Sequence, residues 1–101
     1  MKKLRSLPCA LLLALFTASA TAEPAKVGFI YIGNGDNNLW TRQHELAREA
    51  LQAELGPAVT VVTMPNTAKG PDGERATREL SKAGAKMIYA VGHGYMDSIL
   101  A

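Results

Sequence analysis

Two glycine-containing turns carry most of the side chains that could bind a ligand. The first follows Gly33 and holds polar residues and the single tryptophan of the chain: Asp36, Asn37, Asn38 and Trp40. The second surrounds His93, which stands between two glycines and is followed by Tyr95 and Asp97. Amide and carboxylate groups can hydrogen-bond the polar edge of a flat molecule, and aromatic rings can stack on its face. These residue types are therefore suited to binding a small planar ligand.

Each of these residues also has an ordinary structural interpretation. Asn37 and Asn38 are typical turn and helix-capping residues. Trp40 could equally pack against a sheet, and His44, one helical turn further on, could be a surface residue. His93 is predicted to be exposed because glycines flank it, and capping is the favoured role for Asp97.

The motifs of several enzyme classes are absent from the sequence. Gly33-x-Gly35 is followed by Asn38 where a dinucleotide fingerprint requires glycine, and neither a P-loop nor a G-x-S-x-G motif occurs. The two histidines are far apart and the single cysteine, Cys9, lies near the start, so a zinc site is not predicted. The sequence therefore predicts no metal and no cofactor.

The elements that would position these turns alternate between strands and helices. Apolar, β-branched runs predict strands over 26–33, 59–64 and 86–91, and helical periodicity predicts helices over 39–55, from Asp72 to Gly84, and from 95 onward. Asn37 or Asn38 is predicted to cap the first helix, Gly56 to stop it, and Asp72 to cap the second. The predicted buried stripes of the first helix are Leu39, Leu46 and Ala50, with Trp40, Ala47 and Leu51 beside them.

The order β-α-β-α-β-(α) predicts a doubly wound α/β fold. Strands joined through helices run parallel with right-handed crossovers, and the expected strand order is 2-1-3. Ligands bind beyond the carboxyl ends of such strands, where both turns would meet. A complete domain of this kind usually has five or six strands, so the fold is expected to be incomplete. Its apolar edge strands, 59–64 and 86–91, predict self-association.

The first 22 residues have the pattern of a secretory signal. Lys2, Lys3 and Arg5 precede an apolar run over 7–16, and Ala20-Thr21-Ala22 predicts cleavage before Glu23. An uncleaved membrane anchor is the alternative interpretation. Without the three basic residues the net charge changes from +2 to −1, since eight basic residues then face nine acidic ones. No nucleic-acid partner is predicted for residues 23–101, which would form the exported chain.

Several segments in this order resemble one protein family. KVGFIYIG at 26–33, Trp40-Thr41-x-x-His44, ELAREALQAELG, GERATREL, KMIYAVG and Gly94-Tyr95-Met96-Asp97 are similar to segments of the basic membrane protein family. These are substrate-binding proteins, of the purine-nucleoside-receptor type, that serve ABC importers. The resemblance runs from Lys26 to Leu100. It departs from the family pattern at Leu39, where glycine is usual, at Asp36, which is displaced by one position, and at His93, where phenylalanine is frequent.

The resemblance implies a fold, a location and a function. The fold would be part of a flavodoxin-like lobe of the periplasmic-binding-protein type I class, and the chain would be a truncated, periplasmic substrate-binding component with an inner-membrane ABC permease as partner. The implied ligand is a purine base or nucleoside, bound without enzymatic turnover. Trp40 would stack on it, and the remaining implied ligand-binding residues are Asp36, Asn37, Asn38, His93 and Tyr95.

Two other interpretations stay open from the sequence. One is a small exported α/β enzyme domain that uses His44 or His93 as a general base. The other is a truncated gene product without a ligand function.

Overall fold

A computed structural model describes residues 23–101, so the predicted signal at 1–22 lies outside the described residues. The elements are β1 (Ala25–Tyr31), α1 (Leu39–Leu55), β2 (Val59–Met64), α2 (Pro71–Lys82), β3 (Met87–Val91) and α3 (Met96–Leu100). Short 3-10 turns occupy Gly56–Ala58 and His93–Tyr95. Within this part of the chain, no helix has both the length and the apolar character needed to cross a membrane.

The three strands form one parallel sheet in the order β2-β1-β3. Val27 of the central strand is in register with Val61 on one side and Met87 on the other. The predicted α/β class, the parallel pairing and the strand order are therefore confirmed. The arrangement is that of part of a flavodoxin-like lobe, with helices on the two faces of an open sheet.

Alternation along the strands separates two small cores. Val27, Phe29, Tyr31 and Val91 are buried together on one face of the sheet. Ile30 lies on the other face with Ala76 and Leu80 of α2 and with Tyr95. Successive side chains of β1 point to opposite faces, so the central strand contributes to both cores.

Asn38 and Gly56 fix the two ends of α1. The Asn38 side chain accepts a hydrogen bond from the backbone N–H of Thr41 at 3.0 Å, which satisfies one of the free donors of the first turn. Gly56 has φ 51°, a conformation that favours glycine, and follows the last helical residue. The predicted Asn38 cap and Gly56 stop are confirmed.

The predicted buried stripes of α1 are wrong. Leu39 is 77% exposed, Trp40 is 60% exposed, and Thr41 is the buried residue of this helix. The helix is rotated so that Thr41, Glu45 and Arg48 face the sheet, where the Glu45–Arg48 ion pair lies near the buried Tyr31. Because α1 turns this polar face towards the buried phenol, its leucines lie on the outer surface. Leu46 and Leu51 are exposed for this reason.

The predicted Asp72 cap of α2 is also wrong. The helix begins at Pro71, and Gly70, with φ 77°, is the capping residue. Proline is favoured at the first helical position because its missing N–H would have no partner there. Asp72 instead lies in the first turn, where a negative charge is favourable, and pairs with Arg75 at 2.8 Å.

Candidate functional site

A cavity of about 470 Å³ opens where the strands of the sheet end. Segments that follow all three strands line it: Ile32, Asn38, Trp40, Lys69, Gly92, His93 and Gly94. This is the carboxyl edge at which open parallel sheets bind their ligands. The location predicted from the topology therefore coincides with a real concavity.

Trp40 forms an aromatic wall of the cavity. It is 60% exposed, which excludes the alternative that it packs in the core. Its ring is tilted by 56° against the ring of His44, with centroids 4.8 Å apart. His44 therefore supports the tryptophan from its own helix and is not itself a lining residue.

Asn38 both caps α1 and lines the cavity. Its side-chain oxygen accepts from Thr41, as described above. Gly33 permits this close packing, because a Cβ atom there would lie 2.7 Å from the Cβ of Asn38. The end of β1 and the start of α1 can therefore meet directly beneath the cavity.

Asp36 and Asn37 belong to the turn that leads to Asn38, not to the cavity wall. The side-chain oxygen of Asn34 accepts from the backbone N–H groups of Asp36 at 2.9 Å and Asn37 at 3.1 Å. The side-chain oxygen of Asn37 in turn accepts from the backbone N–H of Asn34 at 3.0 Å. These bonds shape the turn, and contact of Asp36 or Asn37 with a ligand stays a prediction.

The loop after β2 is bound to the end of β1. The backbone N–H of Asn66 donates to the carbonyl of Gly33 at 3.0 Å, and that of Thr67 donates to the carbonyl of Tyr31 at 2.9 Å. Asn66 has φ 54°, a left-handed conformation that asparagine tolerates better than most residues. The loop that carries Lys69 is therefore held at the sheet edge from its first residues.

Tyr95 and Ser98 hold the same loop from the side of β3. The Tyr95 hydroxyl donates to the carbonyl of Thr67, and the Ser98 hydroxyl donates to the carbonyl of Gly70 at 3.0 Å. Tyr95 is 1% exposed, and burial raises its pKa, so the hydroxyl keeps its proton and stays a donor. Tyr95 therefore lies in the core beneath the cavity and not among the lining residues.

The Lys69 side chain lies over Gly94. A Cβ atom at position 94 would collide with the Cδ of Lys69, so the absence of a side chain there makes room for the lysine stem. His93 is exposed next to it and lines the cavity. The lysine and the turn after β3 therefore form one wall.

Of the residues that the sequence predicted as ligand contacts, the structure brings three together. Asn38, Trp40 and His93 line the cavity, whereas Asp36, Asn37 and Tyr95 do not. Sequence reasoning missed Ile32 and Lys69. The available signal for Lys69 was its position: it follows β2 within a few residues, and β2 ends at the same sheet edge.

The lining is mostly apolar and suits a flat organic molecule better than a metal ion. It offers the face of one aromatic ring, one aliphatic side chain and a few polar groups, which is the usual make-up of small-molecule sites. Within residues 23–101 there is no group of three or more histidine, aspartate or glutamate side chains that could hold a metal ion.

No family model matches the chain. Over 80 residues its sequence is 42% identical to a purine-binding protein of Brucella abortus (strain 2308). The aligned region covers 79% of this chain and 23% of that protein. The chain thus spans about a quarter of the length of this curated relative, and over most of its own length it is similar to a protein named for binding purines.

Proposed function

We propose that the chain is the N-terminal part of a substrate-binding component of an ABC importer and that its cavity binds a purine base or nucleoside without converting it. One observation carries the proposal: an exposed Trp40 lines a cavity at the carboxyl edge of a parallel sheet. The 42% identity to a purine-binding protein supports the ligand class. The partner of such a component would be the inner-membrane permease of the importer.

The expected affinity of this chain alone is low. Stacking of a base on an aromatic side chain contributes roughly 1–3 kcal/mol. Micromolar binding requires about 8 kcal/mol, and the cavity is open on one side, so few further contacts are available. We therefore expect millimolar rather than micromolar dissociation constants.

Nuclear magnetic resonance measures such weak binding directly. Trp40 is the single tryptophan, so its indole N–H gives one assignable signal in a ¹⁵N-labelled chain. Titration with inosine or adenosine should shift this signal, because a base stacked on the ring changes its magnetic environment. Uridine and ribose serve as ligand controls, since a smaller ring stacks less and a sugar does not stack.

Two variants make the test specific for the cavity. Trp40→Phe should weaken nucleoside binding, followed by the backbone N–H signals of Gly92 and Gly94. Leu46→Phe places a similar change at an exposed position of the same helix that does not line the cavity, and should leave binding unchanged. No shift at the cavity with any purine, or equal binding by the Trp40 variant, would contradict the proposal.

We also propose that the chain is exported to the periplasm and cut before Glu23. The basic start, the apolar run over 7–16 and the Ala20-Thr21-Ala22 site support this. N-terminal sequencing of the product from a periplasmic extract should begin at Glu23. A product that starts at Met1 and sediments with membranes would instead indicate an uncleaved anchor.

A further inference from the structure

The indole of Trp40 projects from the first turn of α1 and is mostly exposed where it lines the cavity. Among the aromatic rings of residues 23–101, that of His44 is the one that packs against it, with centroids 4.8 Å apart and planes tilted by 56°. Tilted ring pairs at such separations attract each other by more than the area that they bury. The His44 ring is therefore a contact that can hold the indole.

The backbone beneath both rings is fixed, which leaves side-chain rotation as the freedom of Trp40. Asn38 caps the helix through the backbone N–H of Thr41, and the side chain of Thr41 is buried under the same turn. Helical side chains lean towards the helix N-terminus, so a residue at i+4 lies over the residue one turn before it. His44, which is half-buried, therefore leans onto the exposed ring of Trp40.

The place of Trp40 in the helix would by itself leave the direction of its ring open. In the body of a helix, the preceding turn disfavours one of the three staggered χ1 rotamers. Trp40 is the second residue of α1, and no turn of this helix precedes it. Helix geometry therefore leaves all three rotamers accessible, and the one that the structure shows is a rotamer that lines the cavity.

We propose that His44 is a positioning residue of the purine site: its ring holds the Trp40 indole in the orientation that lines the cavity. A purine that stacks on an indole already held there does not have to select one rotamer out of three. If the three rotamers were equally populated without His44, the dissociation constant would rise about threefold. This inference rests on the purine site proposed above and adds to it a residue that does not line the cavity.

The first measurement needs no ligand. In a chain labelled with ¹³C and ¹⁵N, the three-bond couplings of the Trp40 Cγ to its backbone nitrogen and carbonyl carbon report the χ1 rotamers. They should indicate one rotamer in the wild type and an average over several in His44→Ala. Alanine favours the helix, so this variant should keep the fold, which thermal melting checks. His44→Phe keeps a ring at the same position and should restore the single rotamer.

The second measurement is the affinity for inosine in the same variants. Titration followed by the backbone N–H signals of Gly92 and Gly94 should give a dissociation constant about threefold higher in His44→Ala than in the wild type. His44→Phe should return the constant to the wild-type value. Gln43→Ala truncates an exposed neighbour on α1 that does not line the cavity, and it should change neither the couplings nor the affinity.

The outcomes separate the role of His44 from the purine site itself. If inosine binds but the wild-type indole already samples several rotamers, or keeps a single rotamer in His44→Ala, the inference is overturned and the purine site stands. Averaged couplings in His44→Ala with an unchanged affinity also overturn it, because the orientation of the indole would then not limit binding. If no purine shifts a signal at the cavity of the wild type, the purine site fails and the inference fails with it.

Discussion

The Tyr95 hydroxyl joins two turns that are far apart in sequence. It lies in the turn after β3 and donates to the carbonyl of Thr67 in the loop after β2. Its ring is buried against Ile30, Ala76 and Leu80. One side chain therefore packs in the core and also holds the loop that carries the lining residue Lys69.

Removing this hydroxyl should lower the free energy of unfolding without creating a cavity in the core. Tyr95→Phe keeps the ring but leaves the Thr67 carbonyl without its donor, so we expect a loss of about 1–1.5 kcal/mol in the free energy of unfolding. Urea denaturation measures it. Tyr89→Phe is the control, because Tyr89 is 47% exposed and its ring would still stack on Phe29. Equal stabilities for both variants would show that the Tyr95 hydroxyl contributes nothing.

The close packing around Gly28 leads to a second prediction about stability. A Cβ atom there would lie 2.6 Å from Cδ1 of Leu80, a buried residue of α2. Gly28→Ala should therefore lower the free energy of unfolding by about 1–3 kcal/mol, as overpacking does in dense cores. Gly35→Ala is the matched control, since its Cβ would meet Glu45 only at 3.9 Å. A wild-type urea midpoint for Gly28→Ala would contradict the close packing.

The residues of the site were predictable where strand ends and turn chemistry locate them. Asn38, Trp40 and His93 stand directly beside predicted strand or helix ends, so topology alone brings them to one edge. For Lys69, its position after β2 indicated only the sheet edge. Its place in the cavity wall depends on the hydrogen bonds that fold its loop back and on the space above Gly94, which no local pattern encodes.

At the scale of elements, the inner face of α1 is polar. Arg48 donates two hydrogen bonds to the Glu45 carboxylate, at 3.0 and 2.8 Å, and both side chains are mostly covered. The bond from Arg48 holds the pKa of Glu45 below its ordinary value of 4.5. Burial, together with the Glu45 carboxylate, raises the pKa of Tyr31 well above its usual range. The Tyr31 hydroxyl makes no hydrogen bond within 3.5 Å to the described residues, although Glu45 lies close enough to affect its pKa.

This ion pair should make the fold sensitive to acid. Because the pKa of Glu45 is lower in the folded chain than in the unfolded chain, its contribution is complete above pH 4.5 and is lost as the pH falls through the folded value. The free energy of unfolding should therefore fall less steeply between about pH 5 and pH 3 in Glu45→Gln than in the wild type. Urea denaturation at a series of pH values measures the slope.

A partner variant identifies the cause of this acid dependence. Arg48→Met removes the donor and should flatten the acid dependence in the same way as Glu45→Gln. If either variant keeps the full wild-type slope, the pair is not its source.

Element types followed from the sequence because apolar runs, helical periodicity and turn residues determine them locally. The strand order followed from the regular succession of strands and helices and its crossover rules. The rotation of α1 did not. Leucines recur at helical spacing on two sides of this helix, and hydrophobic spacing alone favours burying them. Instead the Glu45–Arg48 ion pair of the helix faces the buried phenol of Tyr31 in β1, and this contact between two elements leaves no periodic signal.

At the scale of the whole molecule, much apolar surface is uncovered. Met87 and Tyr89 of the edge strand β3 are 51% and 47% exposed, and Leu46 and Leu51 of α1 are exposed as well. Contiguous exposed apolar patches mark interaction surfaces or sites of aggregation. An edge strand with free backbone groups adds to this tendency.

We therefore expect residues 23–101 to self-associate through the β3 edge. Tyr89→Lys places a charge on that strand at a half-exposed position. It should lower the weight-average molar mass at a given concentration. Ser81→Lys adds the same charge on the exposed side of α2 and should leave association unchanged. Light scattering over a range of concentrations decides the matter, and a monomer at all concentrations would contradict the prediction.

The position of β1 in the sheet also constrains how the molecule folds. The central strand is the first to be synthesised among the described elements, yet both of its neighbours come later in the chain. It pairs with β2 only after α1 has been made, and with β3 only after α2 as well. Every strand pair therefore closes a long loop before any contact offsets the lost chain entropy, which is the topology that slows folding. Until β3 emerges, the most buried strand of the sheet has one open side, and this interval is when a chaperone would find an unfolded chain to hold.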